Sequence, residues 1–443
     1  MHLTPLGRLT AHGVVVLTQK EYPRMFRTTH AARGAALVGA LALALSACSS
    51  STSSTSATSG STAGSGNALV IGTLLPQTGS LAFLGPPEIA GVNLAIKDIN
   101  DAGGVLGKPV VAQHADSSDA DHAEVATQSV ADLVSKKVQV VIGAASSAVT
   151  LNVVDDIAAA KIVEISGANT STKLSGYSPF YFRTAPPDTV QGSALGNLIV
   201  TDKVKKLGIL VFNDDYGTSL RDVVQKTVEA AGVTVTYGKK GQEFDPAASD
   251  FKNDVTAVLD TKPDAIAIIA FDQTKQIIPD LVAKGFDASK LYLVDGNTSN
   301  YSKDFPAGTL KGAQGTIPGA FPTAEFQTRL KSIDSTLTDY SYAPENYDAV
   351  TLAALAAVKG KGTDGVTIQA NMAAVSGANG GTECKSFKDC VALLDAGKDI
   401  KYVGQAGVGP FNAKNDPSSA YIGVYQFQND NSYTFVKSVF GQS

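Results

Sequence analysis

The chain has 443 residues, 44% of them hydrophobic and 17% charged, with a formal net charge of −5. This is the composition of a globular protein with sizeable cores, long enough for two or three domains. The first 47 residues carry Arg8, Lys20, Arg24, Arg27 and Arg33 against Glu21, a balance of +4 that leaves −9 for the rest; with no basic stripe, the body is not built for nucleic acid.

At the N-terminus, Arg24, Arg27 and Arg33 precede an apolar run, Gly34–Leu45, of signal-peptide length and too short to cross a membrane as a helix. The run ends in Leu45-Ser46-Ala47-Cys48, which resembles the bacterial lipobox, where the cysteine is lipidated and the peptide is cut just before it. Residues 1–47 are therefore expected to be a signal peptide, with Met25 as an alternative start, and Cys48 a lipid anchor. Residues 49–66 are Ser, Thr, Ala and Gly throughout. Such a tract buries too little apolar surface to offset its ordering entropy, so it reads as a tether reaching on the order of 20–25 Å. Cys384 and Cys390 have no histidine between or beside them, which argues against a metal site. Outside the cytoplasm a disulfide is the expected state, with a free thiol pair as the alternative.

From Asn67 onward, short apolar runs alternate with amphipathic stretches. Strands are expected at Ala68–Leu75, Val110–His114, Val138–Ile142, Ile162–Ile165, Leu207–Phe212, Val233–Tyr237, Ala265–Ala270 and Leu291–Val294. Helices are expected at Ile89–Asn100, Ala123–Ser135, Thr189–Val200, Tyr216–Ala231 and Gln276–Lys284. Continuously apolar strands imply burial on both faces, hence parallel sheets covered by helices in a doubly wound α/β fold. The alternation restarts near Thr189. Later helices at Glu325–Leu337, Pro344–Val358 and Gly365–Ser376 suggest a return to the first lobe, and strands at Ile400–Val403, Ala420–Gln426 and Tyr433–Val439 follow. The expected division is 67–186 plus 317–403 for one lobe and 187–316 plus 404–443 for the other.

Several segments then resemble, in order, the leucine/isoleucine/valine-binding proteins, the type 1 periplasmic binding proteins. They are Ile71–Gly85, Gly91–Gly107, Val141–Ser147, Ile165–Thr170, Asn213–Gly217 and Tyr347–Val350. The resemblance implies two doubly wound parallel-sheet lobes joined by three crossings, with a small solute, an amino acid or a relative of one, enclosed between them and passed to an ABC permease. It implies that Ser147, with Ser146 beside it, binds the ligand carboxylate, and that Ala168 and Thr170 receive its ammonium and carboxylate groups. Tyr216 would close over the ligand, and Asp295 with Asn297 would supply an acidic partner for the ammonium, a role Asp272 could take instead. Leu84, with Phe83 beside it, stands where branched-chain binders have a cleft tyrosine, which puts that specificity in question.

Catalysis is poorly supported. Only His114 and His122 remain after the expected leader, Gly143–Ser147 lacks the Gly-x-Ser-x-Gly elbow, and no phosphate-binding glycine loop follows the first strand. No cofactor or metal is expected. The protein is expected to act as a monomer on the outer face of the cytoplasmic membrane, either for a permease or, by the same clamshell, as a sensor for a receptor.

Overall fold

The computed structural model describes residues 67–443; the expected signal peptide, Cys48 and the tether lie outside the described residues. The first sheet contains β1 (Val70–Leu75), β2 (Val111–Asp116), β3 (Val140–Gly143), β4 (Val163–Ser166) and β5 (Tyr181–Arg183), linked by α1 (Gly85–Asp101), α2 (Ala123–Ser135) and α3 (Ser147–Ala159). Its order is β2-β1-β3-β4-β5 and every pairing is parallel.

A first crossing at 184–187 leads to α4 (Asp188–Thr201), β6 (Lys206–Val211), α5 (Asp215–Ala230), β7 (Thr234–Tyr237), α6 (Lys252–Asp260), β8 (Ala265–Ile269), α7 (Thr274–Ala283), β9 (Leu291–Leu293) and β10 (Gln314–Pro318). A second, at 319–323, returns through α8 (Ala324–Ile333), α9 (Ala343–Gly360), α10 (Gly365–Val375), β11 (Thr382–Cys384), α11 (Phe387–Asp395) and β12 (Ile400–Tyr402). A third, at 403–418, ends in the hairpin β13 (Ser419–Phe427) and β14 (Tyr433–Gln442). The second sheet runs β14-β13-β10-β9-β8-β6-β7. This sheet is parallel from β10 to β7 and carries an antiparallel edge, because β13 runs antiparallel to both β10 and β14. A tight hairpin at the chain's end can join only antiparallel strands.

Strands such as β8, Ala-Ile-Ala-Ile-Ile, are buried at every residue, as the covering of both sheet faces requires. The central helix α9 is buried continuously from Ala343 to Ala357 and packs against α1 and, through β3 and β4, against the first sheet. One of its acids, Asp348, accepts from Tyr402 Oη (2.8 Å), Gln405 N (2.9 Å) and Ala406 N (2.8 Å), fastening the start of the third crossing. The end of that crossing is held by a buried ion pair, Arg183 Nη2 to Asp416 Oδ1 at 2.7 Å. Cys384 and Cys390 are bonded to each other, with Cα atoms 5.3 Å apart.

Five helices stop at a lysine in the left-handed conformation: Lys137, Lys161, Lys203, Lys262 and Lys361, with φ between 54° and 64°. Glycine is the commoner residue there, but a cation suits the negative end of the helix dipole. Gly143, at the end of β3, has no such freedom of choice. Its φ is +125°, and a Cβ would lie 2.1 Å from the Leu74 carbonyl oxygen. Gly143→Ala is expected to destabilise the protein by about 3 kcal/mol, from left-handed strain and overpacking together; denaturant unfolding measures it.

Candidate ligand-binding cleft

In open α/β sheets the carboxyl ends of the strands form the binding crevice. The two sheets bring those ends together. Leu81 and Leu84 follow β1, Ala145, Ser146 and Ser147 follow β3, and Ala168, Asn169 and Thr170 follow β4. Opposite them stand Tyr216 after β6, Phe271 after β8 and Asp295 after β9, while Tyr342 enters from the start of α9. The enclosed space is about 20 Å³, room for one water-sized molecule, so a solute enters only when the lobes part.

The first wall is shaped for an anion. Ser146 caps α3, its hydroxyl accepting from Val149 N at 3.4 Å, and Ser147 Oγ accepts from Ser171 N at 3.2 Å. The helix therefore starts at the cleft and turns its positive end toward it. The loop before it is clamped from beneath: Ser166 Oγ and Asn169 Nδ2 both donate to Ala144 O, at 2.7 and 3.1 Å. Thr170 Oγ1 is buried near the Asp188 carboxyl, with no partner of good hydrogen-bond geometry among the described residues.

The second wall is acidic. Asp295 is 7% exposed, and three donors converge on it: Tyr216 Oη (2.5 Å) and Gln191 Nε2 (2.7 Å) on Oδ1, and Tyr342 Oη (2.6 Å) on Oδ2. A carboxylate offers about four acceptor positions, so one remains on Oδ2. Burial pushes the Asp295 carboxyl up, and the three donors oppose the shift. Asp188, the first residue of α4, is fully buried, and neither of its oxygens has a partner of good hydrogen-bond geometry among the described residues. Burial raises its carboxyl to about 7, with the nearby Asp295 charge adding to the rise and the Ser219 and Thr170 hydroxyls opposing it. Tyr216 and Phe271 stack, centroids 5.6 Å apart.

Contacts across the cleft hold the closed arrangement. Ser171 Oγ donates to Asp215 O (3.1 Å), Thr172 N donates to Ser219 Oγ (2.9 Å), and Lys173 pairs with Asp215. Leu81, Leu84, Ala145 and Ala168 share one apolar cluster with the core of the second lobe.

Of the residues singled out in the sequence, Ser146, Ser147, Ala168, Thr170, Tyr216, Asp295 and Leu84 line the cleft. Three lie elsewhere. Phe83 is half-buried beside Leu84 and packs on the core without lining the cleft. Asn297 is buried but turned inward, accepting from Val294 N (2.7 Å) and donating to Ile268 O (3.0 Å) and Thr274 Oγ1 (2.9 Å). Asp272 is exposed and pairs with Lys275 at 3.0 Å. Sequence reasoning missed Asp188, Gln191 and Tyr342. Asp188 and Tyr342 had a faint signal, since Pro187-Asp188 and Tyr342-Ala343-Pro344 both mark helix starts.

Two lobes, three crossings and a polar cleft between strand ends define a substrate-binding protein. The chain belongs to the periplasmic binding protein family, whose pattern matches residues 68–389. It is 25% identical to the Leu/Ile/Val-binding protein BraC3 of Rhizobium johnstonii, over 81% of this chain and 92% of that one. It is 23% identical to the chemotactic signal transduction system substrate-binding protein BasB of Halobacterium salinarum, over 81% and 87%. Among solved structures, the leucine-binding protein LivK of Thermotoga maritima has a TM-score of 0.69 at 18% identity, covering 84% of this chain and 98% of that one. A solute-binding protein of an R. palustris ABC transporter, in complex with 4-hydroxybenzoate, has 0.70 at 16% identity, covering 85% and 98%. The family and fold are those of substrate-binding proteins, not enzymes.

Asp188 gives the cleft a measurable pH signature. An acid held above its unfolded value binds its proton more tightly when folded. Its stabilising contribution is present below about pH 4 and is lost as pH rises to about 7. The unfolding midpoint is expected to fall across that window, and to fall less in Asp188→Asn; equal slopes would remove Asp188 from the account.

Proposed function

We propose that the protein captures an amino acid, or a closely related small solute, between its lobes and delivers it to an ABC permease. The observation that carries this reading is the polarity of the cleft. An anion-favouring helix start at Ser146 and Ser147 and the buried acid Asp295 line the same enclosed cleft, with small and apolar residues between them. A zwitterion matches both walls, its carboxylate meeting the helix start and its ammonium meeting the open acceptor position of Asp295. An aromatic carboxylate of the kind bound by the R. palustris protein satisfies only the first wall. The apolar end formed by Leu81, Leu84 and the Tyr216–Phe271 stack receives the side chain. Cys48, lipidated, holds the body at the outer face of the membrane through the tether of residues 49–66, so a monomer stays within reach of its permease.

A second reading, a sensor, is favoured by one specific likeness, to the chemotactic substrate-binding protein BasB. Deleting the gene separates the two readings. Loss of labelled-solute uptake supports delivery to a permease, and loss of the behavioural response with intact uptake supports sensing.

Thermal unfolding against a panel of amino acids and benzoates tests the ligand class. A true ligand at a hundred times its Kd stabilises by about 2.7 kcal/mol. Stabilisation by benzoates and by no amino acid would overturn the zwitterion reading. With a ligand in hand, Ser147→Ala is expected to weaken binding by about 1–2 kcal/mol. Asp295→Ala costs more, because the ammonium then lies unpaired in a dry cleft.

A further inference from the structure

A cavity far larger than the cleft lies elsewhere in the molecule. A space of about 570 Å³ lies where the second crossing, the segment before α9 and the β13–β14 hairpin meet, a volume ordinary for a small-molecule site. Its walls are aromatic. Phe321 and Phe435 stack with centroids 4.7 Å apart, Tyr425 meets Phe435 edge-on at 5.8 Å, and Tyr433, Tyr340 and Tyr342 also line it, Tyr342 forming the wall between this cavity and the cleft. Its charged groups are acids alone: Asp339 and Glu345 line it, and no Lys, Arg or His does.

Glu345 is the telling residue. It is 1% exposed, and its Oε1 has no hydrogen-bond partner among the described residues. The oxygen fits only because residue 319 is glycine, since a Cβ there would lie 1.8 Å from it. The carboxyl also sits in like-charged company, near Asp348 and Glu88, and burial drives it well above the ordinary carboxylate range. A buried carboxyl with no cation beside it, at the wall of an aromatic cavity, gives up its proton at least cost when a cation binds next to it, so ionisation and cation binding favour each other.

We propose that this hinge cavity is a second binding site, separate from the cleft, that takes a small organic cation: an ammonium on an apolar body, its charge met by Glu345, Asp339 and the faces of the aromatic rings. Asp339 already accepts from Tyr433 Oη at 2.7 Å, which fixes that ring against the cavity. Phe321 and Phe435 are 42% and 36% exposed, so the cavity opens to solvent beside this stacked pair.

Benzylammonium, with benzyl alcohol as its neutral counterpart, tests the proposal by calorimetry and by tyrosine fluorescence, which is readable because the chain has no tryptophan. Benzylammonium is expected to bind one site at least ten-fold more tightly than benzyl alcohol. Phe435→Ala and Glu345→Gln should each weaken it at least ten-fold, and the cleft variant Ser147→Ala should bind it as the parent does. Phe435→Ala alters an exposed ring and keeps the test open if Glu345→Gln fails to fold. No binding of benzylammonium, equal binding of benzyl alcohol, or loss in Ser147→Ala with retention in Phe435→Ala would each overturn the assignment.

Discussion

The cleft depends on holding one carboxylate, Asp295, in a place that water does not reach. Desolvation alone would force a proton onto it; three hydrogen-bond donors counter that cost, and they come from different parts of the chain. Tyr216 and Gln191 belong to helices of the second lobe, whereas Tyr342 caps the long helix that packs on the first. Opening the lobes therefore removes one donor from the carboxylate and admits water to replace it. Closure and charge are coupled in a single side chain. A ligand ammonium that reaches Asp295 competes in the same currency, which is why the acid can serve both as a ligand contact and as a latch.

The hinge is built unevenly. Pro186 and Pro187 stiffen the first crossing, and Asp348 and Asp416 pin the third at both ends. The second crossing opens on Gly319, at φ +98°, the residue in it with the widest conformational range. It is also the crossing against which the aromatic cavity lies.

Much of the fold was legible because buried parallel strands advertise themselves as unbroken apolar runs, and because Ala123–Ser135 and Tyr216–Ala231 carry strong helical patterns. The short strands were not. β5 has three residues, and β10 ends in Pro318, so neither rises above a loop until its neighbours impose pairing. α6 and α11 are nine residues each, too short for their pattern to stand out from the flanking loops. In the site, the strand ends carry Ser147, Ala168 and Asp295 into the cleft lining, whereas side-chain direction just beyond them was not legible. Asp295 and Asn297 would share a face if β9 continued, but the chain turns at once, with Asn297 N donating to Val294 O at 3.0 Å, and Asn297 becomes a brace for the strand end. Asp272 fails for a simpler reason: it follows Phe271, which takes the inward direction. Tyr342 comes from a segment nearly fifty residues later, and no local pattern could bring it to Asp295.

The lysines that stop the helices also shape the surface of the molecule. Each crossover helix runs back against its strands, so its last turn lies at the end of the sheet remote from the cleft. Lys137, Lys161, Lys203 and Lys262 thus gather at the outer poles, while Asp188, Asp214, Asp215 and Asp295 gather where the lobes meet. Acids accompany the lysines at the poles: Asp364 lines the same surface hollow as Lys137 and Lys161, and Asp202 precedes Lys203. The poles are therefore mixed-charge, well-hydrated surfaces that resist self-association.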